Sequence, residues 1–231
     1  MKRFYKQVAV AQEGEGYRVT LDGRGIRTVA GQPQIVPSAA LAEAMAAEWD
    51  GQGEEIEPAR FVLRDMADYA LDVVAPDRAR AIVELLPYAE TDTLCYRTEP
   101  DEPLAARQRE VWEPLLAAAE ARHGVRFQRV AGIMHKPQAP DTLAALRTVL
   151  EGLDAFALAA LRNTTGLAAS LVLGIEAILP DADLDTLWNA ANLEEDWQAE
   201  LWGKDAEAMA RREQRRAAFL AAARFAALAR G

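Results

Sequence analysis

The residues best equipped for chemistry lie in Leu193–Gly203, LEEDWQAELWG, where two tryptophans and four carboxylates share eleven positions. The whole chain has only five tryptophans, and residues 181–200 carry seven Asp or Glu and no Lys or Arg. Aromatic anchors ringed by charge are the makings of a surface that grips another protein. The structural alternative is that the tryptophans fix a helix in the core while the acids keep its outer face wet.

Catalytic patterns are absent from the sequence. The two histidines, His123 and His135, are separated by an expected strand, and His123 precedes Gly124, where a helix C-terminus uses it to satisfy free carbonyls. There is no HExxH, no Cys/His spacing for zinc, no GxSxG and no phosphate loop. Gly14-Glu15-Gly16 and Gly23-Arg24-Gly25 read as hairpin turns. Asp181, Asp183 and Asp185 lack the glycine and closing glutamate of a calcium loop. Cys95, the single cysteine, sits among apolar and aromatic residues and is expected to be a buried, inert thiol. No catalytic residue, metal, cofactor or small-molecule substrate is therefore expected, with an enzyme of unknown reaction or a generic protein-interaction domain as the alternatives.

Bulk properties narrow the partners. The 231 residues are 51% hydrophobic and 27% charged, as in a folded globular protein, and the formal net charge is -10. Such a chain repels phosphate backbones, so nucleic acid is not an expected partner. The most apolar stretch, residues 156–179, is broken by Arg162, Asn163 and Glu176 and reads as a buried helix, so no membrane insertion is expected. The N-terminus MKRFYKQVAV lacks a signal-peptide core. The expected location is the cytoplasm, or the mitochondrial matrix if a leader has been removed.

The elements that would position these residues make an α+β protein. Residues 4–10, 17–21, 26–29 and 34–36 alternate or form short runs between turn signals and predict an antiparallel meander. Pro37-Ser38 opens a helix bearing Leu41, Met45 and Trp49. The polar stretch Glu54-Glu55-Ile56-Glu57-Pro58 suggests a boundary between a small β-rich domain (1–57) and a larger, mainly α-helical domain (58–231). Helices are expected at 62–86 with a break at Pro76, at 102–124, from Pro140, over 154–179, over 181–202 and over 204–230. Residues 92–97 and 125–130 predict short extended pieces that pair with each other.

On a continuous helix over 183–202, at about 100° per residue, Leu193, Trp197 and Leu201 share one stripe. Trp188, Glu195 and Trp202 share a nearly opposite one, and Glu194 and Gln198 flank them. Two apolar stripes mean burial on both sides or one stripe offered outward. An unpaired buried Glu195 is costly, so it is expected either to meet Arg211, Arg212, Arg215 or Arg216 of the last helix or to face a partner.

The chain resembles the Atp12 family, assembly chaperones of the F1 part of ATP synthase. The resemblance runs through Lys2–Lys6, Val19–Arg24, Ile35-Val36-Pro37, Glu48-Trp49 with Gln52, and YAETDTLCYR at Tyr88–Arg97. It continues at Gln108, Trp112–Leu116, Leu193-Glu194-Glu195, Trp197-Gln198 and Trp202-Gly203. The chain departs from the family at Val29, where proline is usual, and around Phe61–Met66. The resemblance implies a β-rich N-terminal and a helical C-terminal domain. It also implies a non-enzymatic role: binding the free F1-ATPase α subunit to prevent its aggregation before it pairs with β. The family's important acidic position maps onto Glu194, with Glu195 adjacent. Glu194, Glu195, Gln198 and Trp202 are thus the expected partner-binding residues, and Trp49, Trp112 and Trp197 the expected structural anchors.

Overall fold

The computed structural model of the protein describes residues 1–132, 134–203 and 205–231. It begins with a three-stranded antiparallel sheet, β1 (Val8–Glu13), β2 (Gly16–Leu21) and β3 (Arg24–Gly25), in that order. Both turns follow from their residues. Gly14 takes φ +63° at the first loop position, and Asp22 and Gly23 both take positive φ, 49° and 78°, as a two-residue turn matching strand twist requires. The strands expected at 26–29 and 34–36 are reduced to bridges, Arg27 to Pro33 and Tyr17 to Val36. Pro33 has no N–H to donate, which limits pairing there. Val36 reaches β2 because Gly16 has no side chain: a Cβ there would lie 2.9 Å from the Val36 carbonyl oxygen.

Ser38 caps α1 (Ala39–Asp50), its hydroxyl accepting from the Leu41 amide at 3.0 Å. The α1 face bearing Leu41, Met45 and Trp49 lies buried against the sheet and the residues that follow. Trp49 sits between Tyr5 (5.5 Å, edge-on) and Phe61 (4.4 Å), and the Tyr5 hydroxyl donates to the Trp49 carbonyl at 2.6 Å. The expected domain boundary falls at a 3₁₀ turn, Pro58–Arg60. The apolar core is continuous from Tyr5 and Val19 through Phe61 to Phe225.

Helices dominate the rest. α2 (Val62–Tyr69) runs on through a π turn (Ala70–Val74) and stops before Pro76, and Asp77 caps α3 (Arg78–Leu85). A short α4 (Pro87–Glu90) leads to a 3₁₀ turn (Thr93–Cys95) and β4 (Tyr96–Arg97). α5 (Pro103–His123) ends at Gly124, left-handed at φ +65°. β4 pairs in parallel with β5 (Val130–Ala131); the strand expected over 125–130 is thus only its last residue and the next. There follow α6 (Pro140–Glu151), α7 (Ala155–Ala168) and α8 (Leu171–Ala177). α7 is the hub, packing against α2, α3, α8 and the last helix, α11 (Ala206–Arg230). Gly174 allows α8 to approach α7, since a Cβ there would fall 2.1 Å from the Thr165 hydroxyl.

One expectation is corrected. Residues 183–202 are not one helix but two, α9 (Leu184–Ala191) and α10 (Leu193–Trp202). Asn192 breaks them: its backbone sits at φ -110°, ψ 14°, and its side-chain amide donates at 2.8 Å to the Trp188 carbonyl, which also accepts from its backbone N–H at 3.2 Å. The stripe through Trp188, Glu195 and Trp202 therefore does not exist as a continuous surface. Among the described residues no helix is long and apolar enough to cross a membrane.

Candidate functional site

The tryptophans divide by depth. Trp112 is fully buried on α5, its indole N–H donating to the Ala190 carbonyl at 2.8 Å, which docks α9. Trp188 is also fully buried, 5.4 Å from Phe219 on α11. Trp49 is buried where α1 meets Tyr5 and Phe61. Trp197 departs from the expected anchor role: it is only half-buried, with the Arg107 guanidinium 5.8 Å from its ring. On its stripe only Leu193 is buried, while Leu201 is 59% exposed: α10 is deepest at its first residue and more open toward its end. Trp202, at the projecting end, is 79% exposed.

The acids of α10 divide by partner. Glu195 meets Arg215 of α11 at 3.1 Å, Asp196 meets Arg212 at 2.7 Å, and Glu200 meets Arg107 of α5 at 3.1 Å. Asp185 of α9 likewise meets Arg216 at 2.6 Å. Arg215 is further held by the Leu167 carbonyl and lies 5.7 Å from the Trp188 ring. Of the two exits open to Glu195, the structure takes the internal one. Glu194 differs: its Oε1 accepts from the amide of Gln108 at 2.6 Å, and no arginine among the described residues is in salt-bridge range.

The four expected partner-binding residues consequently fall in two places. Glu195, Gln198 and Trp202, spaced three and four apart, line a groove between α10 and α11 together with Met209. Glu194 faces the other way, into a cleft with Thr91, Thr93, Tyr96 and His135. The cleft joins segments far apart in sequence, and each is pinned. Asp92, fully buried, accepts from the Leu94 and Val172 amides, tying the loop to the start of α8. Burial pushes its carboxyl up to about 6. β4 is braced to α5 through Arg97 and Glu113, 2.9 Å apart. The His135 loop is tied down where the Gln138 amide donates to Glu90 at 3.0 Å. His135 Nδ1 then lies 2.7 Å from the Tyr96 hydroxyl, with the two rings nearly parallel.

Sequence reasoning missed Tyr96, His135, Thr91, Thr93 and Gln108 as neighbours of Glu194. Gln108 carried a signal in its place among the family-matching positions; the juxtaposition with His135 carried none. Cys95 is fully buried nearby, and burial pushes its thiol up to about 12, far from a reactive thiolate. His123 is the last residue of α5, but its buried Nε2 meets no carbonyl, so the expected capping bond is not made there, and burial lowers its pKa. Among the described residues no group of three or more His, Cys, Asp or Glu is arranged to hold a metal.

A sequence profile of the ATP12 chaperone protein family matches residues 2–120. The α+β chain with its projecting acidic helix is thereby a member of a chaperone class. In particular, it belongs to the ATP12 chaperone protein family. Crystallised Atp12 from Paracoccus denitrificans is 36% identical, with a TM-score of 0.93 over 99% of this chain and 98% of its own. An aspartate-to-lysine mutant of Atp12p from the same organism is equally similar, at TM-score 0.93 over 99% and 97%. The mitochondrial protein atp12 of Schizosaccharomyces pombe is 24% identical over 214 residues, 87% of this chain and 74% of its own length.

Proposed function

We propose that this protein is an assembly chaperone for the F1 sector of ATP synthase that binds the free α subunit and keeps it from aggregating until β replaces the chaperone. Membership of the ATP12 chaperone family carries the reading. The exposed end of α10 supports it. An unassembled subunit exposes an obligate, apolar interface, and a protein that covers it reversibly needs apolar anchors with a charged rim. Leu201, Trp202 and Met209 supply the first, with Glu195 and Gln198 beside Trp202 and Met209 in the groove and Glu194 facing the other way. Exchange for β is enough to drive release, so no nucleotide or other cofactor enters the scheme. The activity belongs in the compartment where the F1 subunits fold.

The test is light scattering of purified α subunit after dilution from denaturant, with and without one equivalent of this protein, and with β subunit as a control client. Suppression of α aggregation together with a one-to-one complex on size exclusion is expected. Failure to bind α, or equal binding of β, overturns the reading.

A small-molecule enzyme is the second reading, because His135 does share a cleft with polar groups. The cleft contains no activated nucleophile: the Thr93 hydroxyl is committed to the Ala169 carbonyl at 2.9 Å and Cys95 is buried. The chaperone reading is preferred on that ground.

A further inference from the structure

Four carboxylates lie on α10, and three of them, Glu195, Asp196 and Glu200, are matched by an arginine of the same chain. Among the described residues Glu194 is the exception. It is not left to wander, because Gln108, which holds it, is itself fully buried and fixed where its Oε1 accepts from the Thr98 amide at 3.0 Å. A neutral amide thus orients the carboxylate without cancelling its charge.

The surrounding cleft, about 350 Å³, is rich in acceptors. The Thr93 hydroxyl proton goes to the Ala169 carbonyl, and the Thr91 hydroxyl proton to the Pro87 carbonyl at 3.4 Å. Both oxygens keep lone pairs. The Tyr96 hydroxyl contacts both the Glu90 carbonyl, at 3.4 Å, and His135 Nδ1, at 2.7 Å. In the short contact one of the Tyr96 hydroxyl and His135 Nδ1 donates and the other accepts, which holds the two rings together as one face. A cavity edged by one uncompensated carboxylate, hydroxyl lone pairs and aromatic ring faces calls for a flat cation that carries only donors. Arginine is that group: a planar fork of N–H donors, no acceptor, a fixed charge and an affinity for ring faces. Lysine offers the charge without the plane.

We propose that the cleft of Thr91, Thr93, Tyr96, His135 and Glu194 receives an arginine side chain presented by the client protein. This deepens the proposed chaperone function and rests on it for the identity of the client. The α10–α11 groove, where Glu195 and Asp196 are already matched by arginines, is left to apolar contact.

The site is tested first without any client. The full chain is titrated with N-acetyl-arginine methylamide, followed by amide and side-chain NMR shifts, and compared with the lysine analogue and with the citrulline analogue, which keeps the shape but not the charge. Saturable shifts at Thr93, Tyr96, Gln108 and Glu194 are expected with arginine, weaker by about fivefold or more with lysine and absent with citrulline. Glu194→Gln, which keeps the Gln108 hydrogen bond, abolishes them. Equal responses to arginine and citrulline, or shifts that survive Glu194→Gln, overturn the proposal. A second arm separates it from the reading beneath it. If α subunit binds wild type and Glu194→Gln equally, the arginine cleft is wrong and the chaperone reading stands; if α does not bind wild type, the chaperone reading itself falls.

Discussion

The carboxylate of Glu48, at the end of α1, accepts from the backbone amide of Leu63 at 2.7 Å and so caps a helix other than its own. It also accepts from the Arg64 amide at 3.0 Å, satisfying two of the free N–H groups at the start of α2. Phe61, the residue before that helix, offers no side-chain cap. Glu48→Ala should therefore cost about 2 kcal/mol, the upper end for loss of a cap, and Glu48→Gln about half as much. Urea denaturation measures both. A loss in the alanine variant within the ordinary surface range of about 0.5 kcal/mol would mean the cap contributes nothing.

Trp49 joins the sheet side of the molecule to the helical side through Tyr5 and Phe61. Trp49→Ala should lower stability by about 3–5 kcal/mol, and Trp49→Arg by more, since a guanidinium cannot be solvated there. Because the core is continuous across residue 57, the loss should appear in calorimetry as one transition moved to lower temperature. Unchanged melting of Trp49→Arg would show that α1 does not sit where it is described.

Asp92 makes stability depend on pH in the direction opposite to most carboxylates. Its folded pKa is raised by burial to about 6 from 3.8. The folded state therefore holds this proton longer than the unfolded state. The group's contribution is most favourable below the unfolded pKa and declines as pH rises through the folded one. Over that window, pH 4 to 7, it loses roughly 3 kcal/mol. Other carboxylates cancel when wild type is compared with Asp92→Asn, so the stability of wild type relative to that variant should fall across this range. A flat or rising difference would contradict the raised pKa.

Charge reversal should separate two adjacent glutamates. Glu195→Lys sets a second cation against Arg215 and should lower stability by about 1 kcal/mol. Glu194→Lys meets no arginine and should melt close to wild type while failing to bind client. Trp202→Ala should also leave stability within about 0.5 kcal/mol, because the ring is exposed, yet weaken client binding by about tenfold or more. Circular dichroism and pull-down on the same preparations distinguish these outcomes. A folded Glu194→Lys protein that still captures client would move the site elsewhere.

Local chemistry explains which features could be read in advance. Ser38 as a cap, Gly124 as a left-handed stop and the glycine turns are decided by one or two residues, so the chain states them directly. The break at Asn192 is less visible, because asparagine is tolerated inside helices and the break lies in its backbone conformation and not in its residue type. That break undid the two-stripe geometry and with it the expected burial of Trp197. The choice of Arg215 for Glu195 was open among four arginines and needed the packing of α11 to settle it. The meeting of Tyr96, His135 and Glu194 depends on a parallel β4–β5 pair and on the docking of α10 against α5. No spacing rule reaches across such distances in sequence.

The hydroxyl of Ser38, which caps α1, also donates to the carbonyl of Leu228 near the end of α11, a span of 190 residues. Phe219, Phe225 and Ala226 on the same helix fill the space against α7. On the ribosome these residues emerge after every element they cover. The hub helix must therefore stand with one apolar flank bare from its own synthesis until α11 has been made. A protein proposed to shield the raw interfaces of others thus passes through its own period of exposure, which lasts until α11 has been made.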